Sequence, residues 1–306
     1  MAFTLIEAAK LAQTPLQSGV IETIAAASGV LERLPFLPVN GNAYSYNLEE
    51  SLPGIAFRAV GETYTESTGV INPRTERLSI LGGFSDTDRA IIKTQGSSND
   101  LRAIQDTAKA KAASLFFTKN FFKGDSEADP KGFDGLEQRL AGNQLLDMGS
   151  TSGGDTLTLA KVDELMDAVI GGPDCLFMNK VLRRKVSALV RAAGQATETV
   201  SDAFGRQLTA YASVPIVVIE NDETDTDILA FDEDNPGGGT AASSSIYAVR
   251  FGSGQYVSGL QCGTLDVLDM GLYAGGLSYR TLIEWVAGMA VFHPRSAARL
   301  RGIKNA

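Results

Sequence analysis

The longest helical pattern in the chain lies at residues 99–123, which we call the spine helix. Its apolar residues form one stripe at i, i+3, i+4 spacing, as in a helix that packs one face against a core. Ser98 or Asn99 can cap the first turn through a side-chain oxygen, and Gly124 can end the helix in the left-handed conformation. At 1.5 Å per residue the helix is roughly 36 Å long, about twice the usual length. The stripe comprises Leu101, Ile104, Ala108, Ala112, Leu115 and Phe116.

An extended hairpin is predicted before this helix. Residues 43–48 alternate apolar and polar positions, and residues 76–84 form a returning strand. Turn signals at Pro53-Gly54 and Asn72-Pro73 lie between them. Many residues on both faces are polar, and an isolated two-stranded hairpin is only marginally stable in water. The hairpin therefore needs cover that the sequence does not obviously supply.

A long β run, residues 277–291, is predicted near the C-terminus. It is too long for a small compact sheet, so we expect it to lie beside the spine helix. Glu284 is a charge within this apolar run, next to Trp285, and we expect a buried ion pair or hydrogen bond to satisfy it. Residues 296–303 then form a short strand or turn.

Residues 156–231 predict an α/β unit in which short buried strands alternate with capped helices. Its expected elements are a helix capped by Thr158 and running through Val169, a strand at 175–178, a helix capped by Asn179 and running to Ala193, and a strand at 214–219. A mobile loop follows at 232–245, and further strands are predicted at 246–251 and 255–268.

Residues 1–39 alternate short helical signals with Gly and Pro breakers. One helix is predicted at 4–13, with a capping box from Thr4 and Glu7, and a second at 18–28. The apolar residues are too few and too scattered for an independent core. We therefore expect an arm that lies across another part of the structure or across another subunit.

The composition is that of a globular protein with an acidic balance. The 306 residues carry a net charge of −9, which argues against a polyanion-binding protein as a whole. The densest basic run, Arg183-Arg184-Lys185, lies on a predicted helix and is expected to be a solvated face. Cys175 and Cys262 are expected to be buried free thiols in a reducing compartment. No apolar run approaches about 18 residues, so no transmembrane helix is expected, and the N-terminus lacks the features of a signal peptide.

No group of residues predicts catalysis or a bound metal. His293 is the only histidine, and its place at the end of a strand favours a packed or solvent-facing side chain. One histidine and two distant cysteines argue against a structural zinc site, and the phosphate-loop and nucleophile-elbow motifs are absent from the sequence. The acidic runs 220–227 and 232–234 lack the central glycine and closing glutamate of an EF-hand loop and are expected to be solvated. We predict no enzyme activity and no cofactor.

The order of these elements resembles that of the major capsid proteins of tailed bacteriophages, which have the Hong Kong 97 fold. That family runs from an N-terminal arm through an extended loop, a spine helix and an axial domain to a long closing strand, and this chain matches the order over nearly all of its length. Residues 279–297, in which a long strand ends in Phe292-His293-Pro294, are similar to the family's closing segment. Phe177-Met178-Asn179 and residues 214–218 are similar to axial-domain landmarks, and Glu62 lies where the extended loop often carries a glutamate.

The resemblance implies an α+β protein with a Hong Kong 97-like capsid fold. Its expected parts are an N-terminal arm (1–41), an extended β-hairpin loop (42–88), a peripheral domain with the spine helix (89–155), an axial α/β domain (156–272) and the closing strand of the peripheral domain (273–306).

The resemblance also implies a structural subunit of an icosahedral viral capsid. Such a subunit assembles with itself into pentamers and hexamers in the host cytoplasm and encloses double-stranded DNA in the virion, with no membrane involved. Many relatives begin with a scaffolding segment that a protease removes. Because the arm starts at once in this sequence, we expect either a separate scaffolding protein or an already processed form. The resemblance also implies a portal and allows a decoration protein. Some relatives crosslink through a lysine in the extended loop. No lysine lies between Gly41 and Arg89, so we expect a non-covalent shell.

Two sets of residues carry these expectations. Those expected at the subunit interface are Tyr46, Phe57, Arg58, Glu62, Tyr64, Arg74 and Arg77. Those expected in the spine and the core are Leu101, Ile104, Leu115, Phe116 and Trp285. An aspartate at Ile104 is accordingly expected to cause misfolding and to abolish assembly.

Two alternatives stay open. An encapsulin-type nanocompartment shares the fold but holds an enzyme cargo instead of DNA. An α/β hydrolase using serine or aspartate chemistry would need His293, and the required motifs are absent from the sequence.

Overall fold

A five-stranded sheet, a seven-stranded sheet and one long helix organise the part of the chain that the computed structural model describes, residues 4–6, 15–95, 101–194, 198–202, 204–239 and 243–305. The helices are α1 (Pro15–Ala27), α2 (Arg89–Gln95), α3 (Leu101–Lys123), α4 (Leu136–Arg139), α5 (Leu159–Ala168) and α6 (Lys180–Ala192). Within these residues, no helix is long and apolar enough to cross a membrane.

The strands divide among the two sheets and a separate hairpin. They are β1 (Phe36–Pro38), β2 (Ala43–Ser51), β3 (Val70–Arg77), β4 (Ser79–Asp88), β5 (Leu145–Asp147), β6 (Cys175–Met178), β7 (Glu198–Ser201), β8 (Gln207–Tyr211), β9 (Val214–Val218), β10 (Ser243–Val249), β11 (Val257–Gln261), β12 (Asp266–Tyr273), β13 (Ser278–Val291) and β14 (Ala297–Lys304).

The long strand β13 is the axis of the five-stranded sheet. It pairs along one edge with β4, from Ser278 opposite Asp88 to Ala287 opposite Ser79, and along the other edge with β12 and then β11. β1 pairs in parallel with β11. The predicted long strand is therefore confirmed. It pairs with three antiparallel strands, and helix α3 packs on β4 and β13.

The seven-stranded sheet has the order β5-β14-β10-β6-β9-β8-β7. The predicted buried strands at 175–178 and 214–219 form its centre, where β6 and β9 are parallel neighbours. The hairpin β7–β8 was not predicted, because its residues are largely polar and exposed.

The last strand belongs to the seven-stranded sheet. β14 pairs antiparallel with β10, and its Leu300 and Ile303 are buried beside α5 and α6. The sequence places all of residues 273–306 with the closing strand of the peripheral domain, whereas β14 pairs within the seven-stranded sheet. The short turn that begins at His293 carries the chain from one sheet to the other.

The helix caps agree only in part with the predictions. The Asn179 side chain accepts a hydrogen bond from the Leu182 N–H at 2.8 Å, as expected, whereas Thr158 makes no such side-chain bond. Ser98, Asn99 and Glu7 lie outside the described residues. Gly124 does not adopt a positive φ. A Cβ there would lie 2.3 Å from the Phe133 carbonyl oxygen, so glycine is needed for close backbone approach instead.

The buried face of α3 differs from the predicted stripe. Leu101 and Leu115 are half-buried, Phe116 is exposed, and Ile104 is 54% exposed. The residues that are buried are instead Asp106, Ala110, Ser114, Phe117, Thr118, Phe121 and Phe122. The packing face uses small residues because α1 crosses closely there: the Ser114 hydroxyl donates to the Ile24 carbonyl at 2.8 Å. A pattern of large apolar side chains could not reveal such a contact.

Residues 15–39 pack against their own chain. α1 lies on α3, and β1 adds to the five-stranded sheet beside β11. Ile21, Leu31 and Phe36 are buried in the main core. Of the two surfaces expected for the arm, another part of the structure is thus the one observed for these residues. The predicted helix at 4–13 falls mostly outside the described residues.

The buried and exposed positions of α3 predict a large loss of stability for one substitution and a small loss for another. Phe117→Ala removes a ring that is 1% exposed, and should lower the free energy of unfolding by about 3–5 kcal/mol. Ile104→Asp changes a mostly exposed position and should cost less than about 1 kcal/mol. Chemical denaturation of the two variants checks this. A large loss of unfolding free energy for Ile104→Asp would indicate that Ile104 is packed in the core, as the sequence predicted, and would contradict its exposure in the structure.

Candidate assembly surface

The hairpin β2–β3 projects from the body and ends in a long, unpaired tip. The two strands are antiparallel, from Ala43 opposite Arg77 to Ser51 opposite Val70. Between them residues 52–69, which we call the hairpin tip, form no strand. The predicted second strand at 76–84 is in fact two: β3 completes the hairpin, and β4 turns into the five-stranded sheet.

The hairpin tip exposes large apolar side chains. Ile55, Phe57 and Val60 are essentially fully exposed, and Leu52 and Tyr64 are mostly exposed. Soluble monomers rarely present such a contiguous group of apolar side chains to water. This surface therefore has the composition of a binding site for another protein surface.

Polar contacts shape the tip locally. A Glu62 carboxylate oxygen accepts the Ala59 N–H at 2.9 Å and so closes a turn over residues 59–62. The Arg58 guanidinium donates to the Glu62 carbonyl at 3.1 Å and lies 5.4 Å from the centroid of the Tyr64 ring. Arg58, Glu62 and Tyr64, all expected at a subunit interface, thus contact one another. Their contacts leave Phe57 projecting into solvent.

A compact polar group fixes the base of the hairpin to the body; we call it the hairpin root. Arg139 of α4 donates to both carboxylate oxygens of Glu76, at 2.5 Å and 2.7 Å. The Tyr46 hydroxyl lies 3.2 Å from Glu76 Oε1 and 3.0 Å from the Val291 carbonyl oxygen, and its single proton is shared between these two acceptors. The Tyr46 ring packs on Phe292, with centroids 4.7 Å apart. The strand β2 is therefore tied to the end of β13, and β3 is tied to α4.

The environment of the root keeps Tyr46 neutral. Burial is the main cause, and the neighbouring Glu76 carboxylate adds to it, so that the pKa of the Tyr46 phenol rises from 10.0 to about 12. A neutral phenol is a hydrogen-bond donor, which both oxygen acceptors require. The root is therefore a satisfied, charge-assisted contact at neutral pH.

The structure separates the seven residues expected at the interface into two groups. Phe57, Arg58, Glu62 and Tyr64 are in the exposed tip. Tyr46 is in the root, where it contacts its own chain, and Arg74 and Arg77 are exposed on β3. The root partners Glu76 and Arg139 were not singled out from the sequence. They are 63 positions apart, and no local pattern connects them.

The acidic run at 220–234 is not solvated throughout, contrary to expectation. Asp222 is buried and accepts a hydrogen bond from Lys119 of α3 at 2.8 Å, which holds the pKa of the Asp222 carboxyl well below its usual range. Glu233 is buried and pairs with Arg299 at 2.9 Å. Among the described residues, no group of His, Cys, Asp or Glu side chains is placed to hold a metal ion.

Other sequence expectations are settled by burial. Glu284 is exposed, because Ile283 and Trp285 on either side of it point into the core and the β alternation turns Glu284 outward. Cys175 is buried, but Cys262 is only half-buried. His293 is half-buried, and its Nδ1 accepts the Arg295 N–H at 3.0 Å.

Solved structures of shell proteins share this fold across almost their whole length. The encapsulin SrpI from Synechococcus elongatus PCC 7942 matches with a TM-score of 0.68 at 18% identity, covering 100% of this chain and 98% of that chain. The capsid of an empty GTA particle matches at 0.60 and 15% identity, covering 90% of each chain. A structure from Microbacterium phage Oxtober96 matches at 0.58 and 11% identity, covering 89% and 90%. The chain therefore has the Hong Kong 97-like capsid fold.

One sequence-family model matches part of this chain. The model of the major capsid protein GP7 matches residues 14–158, which include α1, the hairpin and α3. No curated protein sequence matches the chain. The chain therefore shares its fold with these shell proteins, and residues 14–158 are similar to the major capsid protein GP7 family.

Loss of the root ion pair should loosen the hairpin. Arg139→Ala leaves the nearly buried Glu76 carboxylate without its partner, at a cost of about 3–5 kcal/mol. Hydrogen exchange should accelerate in residues 43–48 and 70–77. Arg74→Ala removes an exposed guanidinium from the same hairpin and is the matched control, with exchange expected as in the unmodified protein. Equal exchange in both variants would show that the root does not hold the hairpin.

Alkaline pH should weaken the root through Tyr46. The native phenol keeps its proton until about pH 12, whereas the unfolded one loses it near pH 10.0. Stability from this group is thus complete below pH 10.0 and is lost as pH rises toward 12. Tyr46→Phe should make the free energy of unfolding fall less steeply between about pH 9 and 12. Identical slopes would contradict the assigned environment of Tyr46.

Proposed function

We propose that this chain is the self-assembling subunit of an icosahedral phage shell, built from pentamers and hexamers and enclosing double-stranded DNA in the virion. The observation that carries the proposal is the hairpin tip, an exposed apolar surface held away from the body by a fixed root. A monomeric protein gains nothing from this arrangement. In a shell, each tip lies over a neighbouring subunit and each subunit receives one.

The energetics of the tip suit assembly. Burying a large apolar side chain is worth about 1.5–3 kcal/mol, so Ile55, Phe57 and Val60 together offer several kcal/mol per contact before the costs of association. The root reduces those costs because it fixes the hairpin before binding. Many such contacts act together in a closed shell, so that modest individual affinities sum to a stable container.

The two sheets correspond to the two domains of the proposed shell subunit. We propose that the seven-stranded sheet with α5 and α6 is the axial domain, packing around the pentamer and hexamer centres, and that the five-stranded sheet with α3 is the peripheral domain. The segment limits 1–41, 42–88, 89–155, 156–272 and 273–306 stay as proposals, except that β14 goes with the axial sheet. The shell is non-covalent in this proposal, since the hairpin contains no lysine.

The wider partnerships rest on the family resemblance. A separate scaffolding protein, a portal, a decoration protein and assembly in the host cytoplasm stay predictions. The role is structural, without catalysis or a cofactor.

An encapsulin-type compartment is the second candidate, because an encapsulin shares the fold over 100% of this chain. The match of residues 14–158 to a phage major capsid family favours the phage shell. The contents of purified particles discriminate between the two: nuclease-protected DNA supports the phage shell, and a co-purifying enzyme supports the compartment.

Polar substitution of the tip should abolish assembly without unfolding the subunit. Ile55→Ser with Phe57→Ser changes two fully exposed residues, so the melting temperature should stay within a few degrees. Particles seen by electron microscopy should fall by at least about tenfold, the effect of roughly 1.4 kcal/mol per contact. Leu16→Ser, at a partly exposed apolar position of α1 outside the hairpin, should assemble normally.

Two results would contradict the proposal. Normal particles from the doubly substituted protein would show that the tip is not an assembly surface. An unmodified protein that stays monomeric under all assembly conditions, with scaffold present, would overturn the shell function itself.

A further inference from the structure

Helix α6 carries a concentrated positive charge on an otherwise acidic protein. Lys180, Arg183, Arg184, Lys185 and Arg191 lie within its 13 residues, which include no carboxylate, although the whole chain has a net charge of −9. The buried positions of α6 are Leu182, Val186 and Val190. The core contact therefore fixes the orientation of the helix. Lys180, Arg184 and Arg191 are exposed, whereas Arg183 and Lys185 are half-buried.

The charges of α6 are not neutralised within the subunit. None of the five basic side chains forms an ion pair with any described residue, whereas the arginines of the core and the hairpin root are paired with carboxylates. Lys185 and Arg191 donate to the carbonyls of Lys304 and Ser187 respectively, contacts that leave the positive charge unbalanced. The Arg183 Nε is buried without a hydrogen-bond partner in the described structure.

The placement of these charges does not serve the helix itself. Lys180 and Arg183 lie in the first turn, where the helix dipole disfavours positive charge. Burial, and to a smaller extent the adjacent Lys304, lower the pKa of Lys185. A partner with negative charge would offset the unfavourable positive charge in the first turn.

The shape of the surface favours an extended partner over a small anion. Arg183, Arg184, Lys185 and Arg191 line an open concave region of about 700 Å³ that contains no acidic residue. From Lys180 to Arg191 the helix rises roughly 17 Å, enough to meet several phosphates of one duplex strand. Three of the five side chains are arginines, whose planar forks match phosphate oxygens.

We propose that the exposed face of α6 binds the phosphate backbone of double-stranded nucleic acid, without reading its sequence. The proposal rests on the proposed function, in which the shell encloses DNA, and it requires this face to point into the shell. The sequence alone favoured a solvated face for Arg183-Arg184-Lys185. The absence of ionic partners and the acid-free concave surface are what the structure adds.

The test compares two triple variants of the full-length protein that lose the same charge. Arg183→Gln, Arg184→Gln and Arg191→Gln remove the α6 cations. Arg89→Gln, Lys93→Gln and Lys131→Gln remove three cations that form no ion pair among the described residues. Binding of each protein to a fluorescent duplex of about 30 base pairs is measured over a range of salt concentrations, with a polyglutamate peptide as the second probe.

The unmodified protein and the control variant should bind the duplex with the same salt dependence. The α6 variant should bind it at least about tenfold more weakly, and its slope of log affinity against log salt should be smaller by about 2–3. Equal binding by all three proteins would overturn the proposal, as would tighter binding of polyglutamate than of DNA, which would indicate an acidic protein segment as the partner.

Assembly is scored separately by electron microscopy. The α6 variant should still form particles, and these should protect less DNA from nuclease than particles of the control variant. Intact particles with unchanged DNA would overturn the α6 proposal and leave the shell function standing, whereas absence of particles from the unmodified protein would overturn the shell function. A reconstruction that places α6 on the outer surface would also contradict the proposal.

Discussion

Aromatic packing at the C-terminal half of α3 joins the two sheets. Phe117 lies 5.2 Å from Trp285 of β13 and 6.2 Å from Phe36 of β1, measured between ring centroids. One turn further, Phe122 lies 5.4 Å from Phe177 of β6 and 5.2 Å from Tyr247 of β10. One helix end thus supplies core to both sheets. The relative placement of the two sheets therefore depends on this contact.

A fixed body allows the hairpin to be exposed. A two-stranded hairpin with an apolar tip is marginal alone, and the body stabilises only its root, through the contact of Tyr46, Glu76 and Arg139. The apolar residues of the tip therefore contribute little to the folding of the subunit and remain available for association. Folding and the proposed assembly therefore depend on different residues, so substitutions can separate them.

The sequence predicted elements better than it predicted contacts. The long strand at 278–291, the capped helix after Asn179 and the buried strands β6 and β9 follow from local apolar patterns, which their own residues carry. The buried face of α3 does not follow from a local apolar pattern, because the small residues Ala110 and Ser114 lie there and allow the close approach of α1. The hairpin root could not be predicted from the sequence either. Glu76 and Arg139 each resemble a solvated charge there, and only the fold brings them together.

The net charge of the sequence likewise does not reveal how the charges are arranged on the folded protein. A net charge of −9 is a sum over the whole protein, and interactions between exposed charges are largely screened beyond roughly 8–10 Å in physiological salt. Within that length only neighbouring groups matter. Acidic residues such as Asp222 and Glu233 are committed to internal pairs with Lys119 and Arg299, whereas the cations of α6 have no such pairs. A protein with an acidic net charge can therefore still present one cationic face to a polyanion, as we propose for α6.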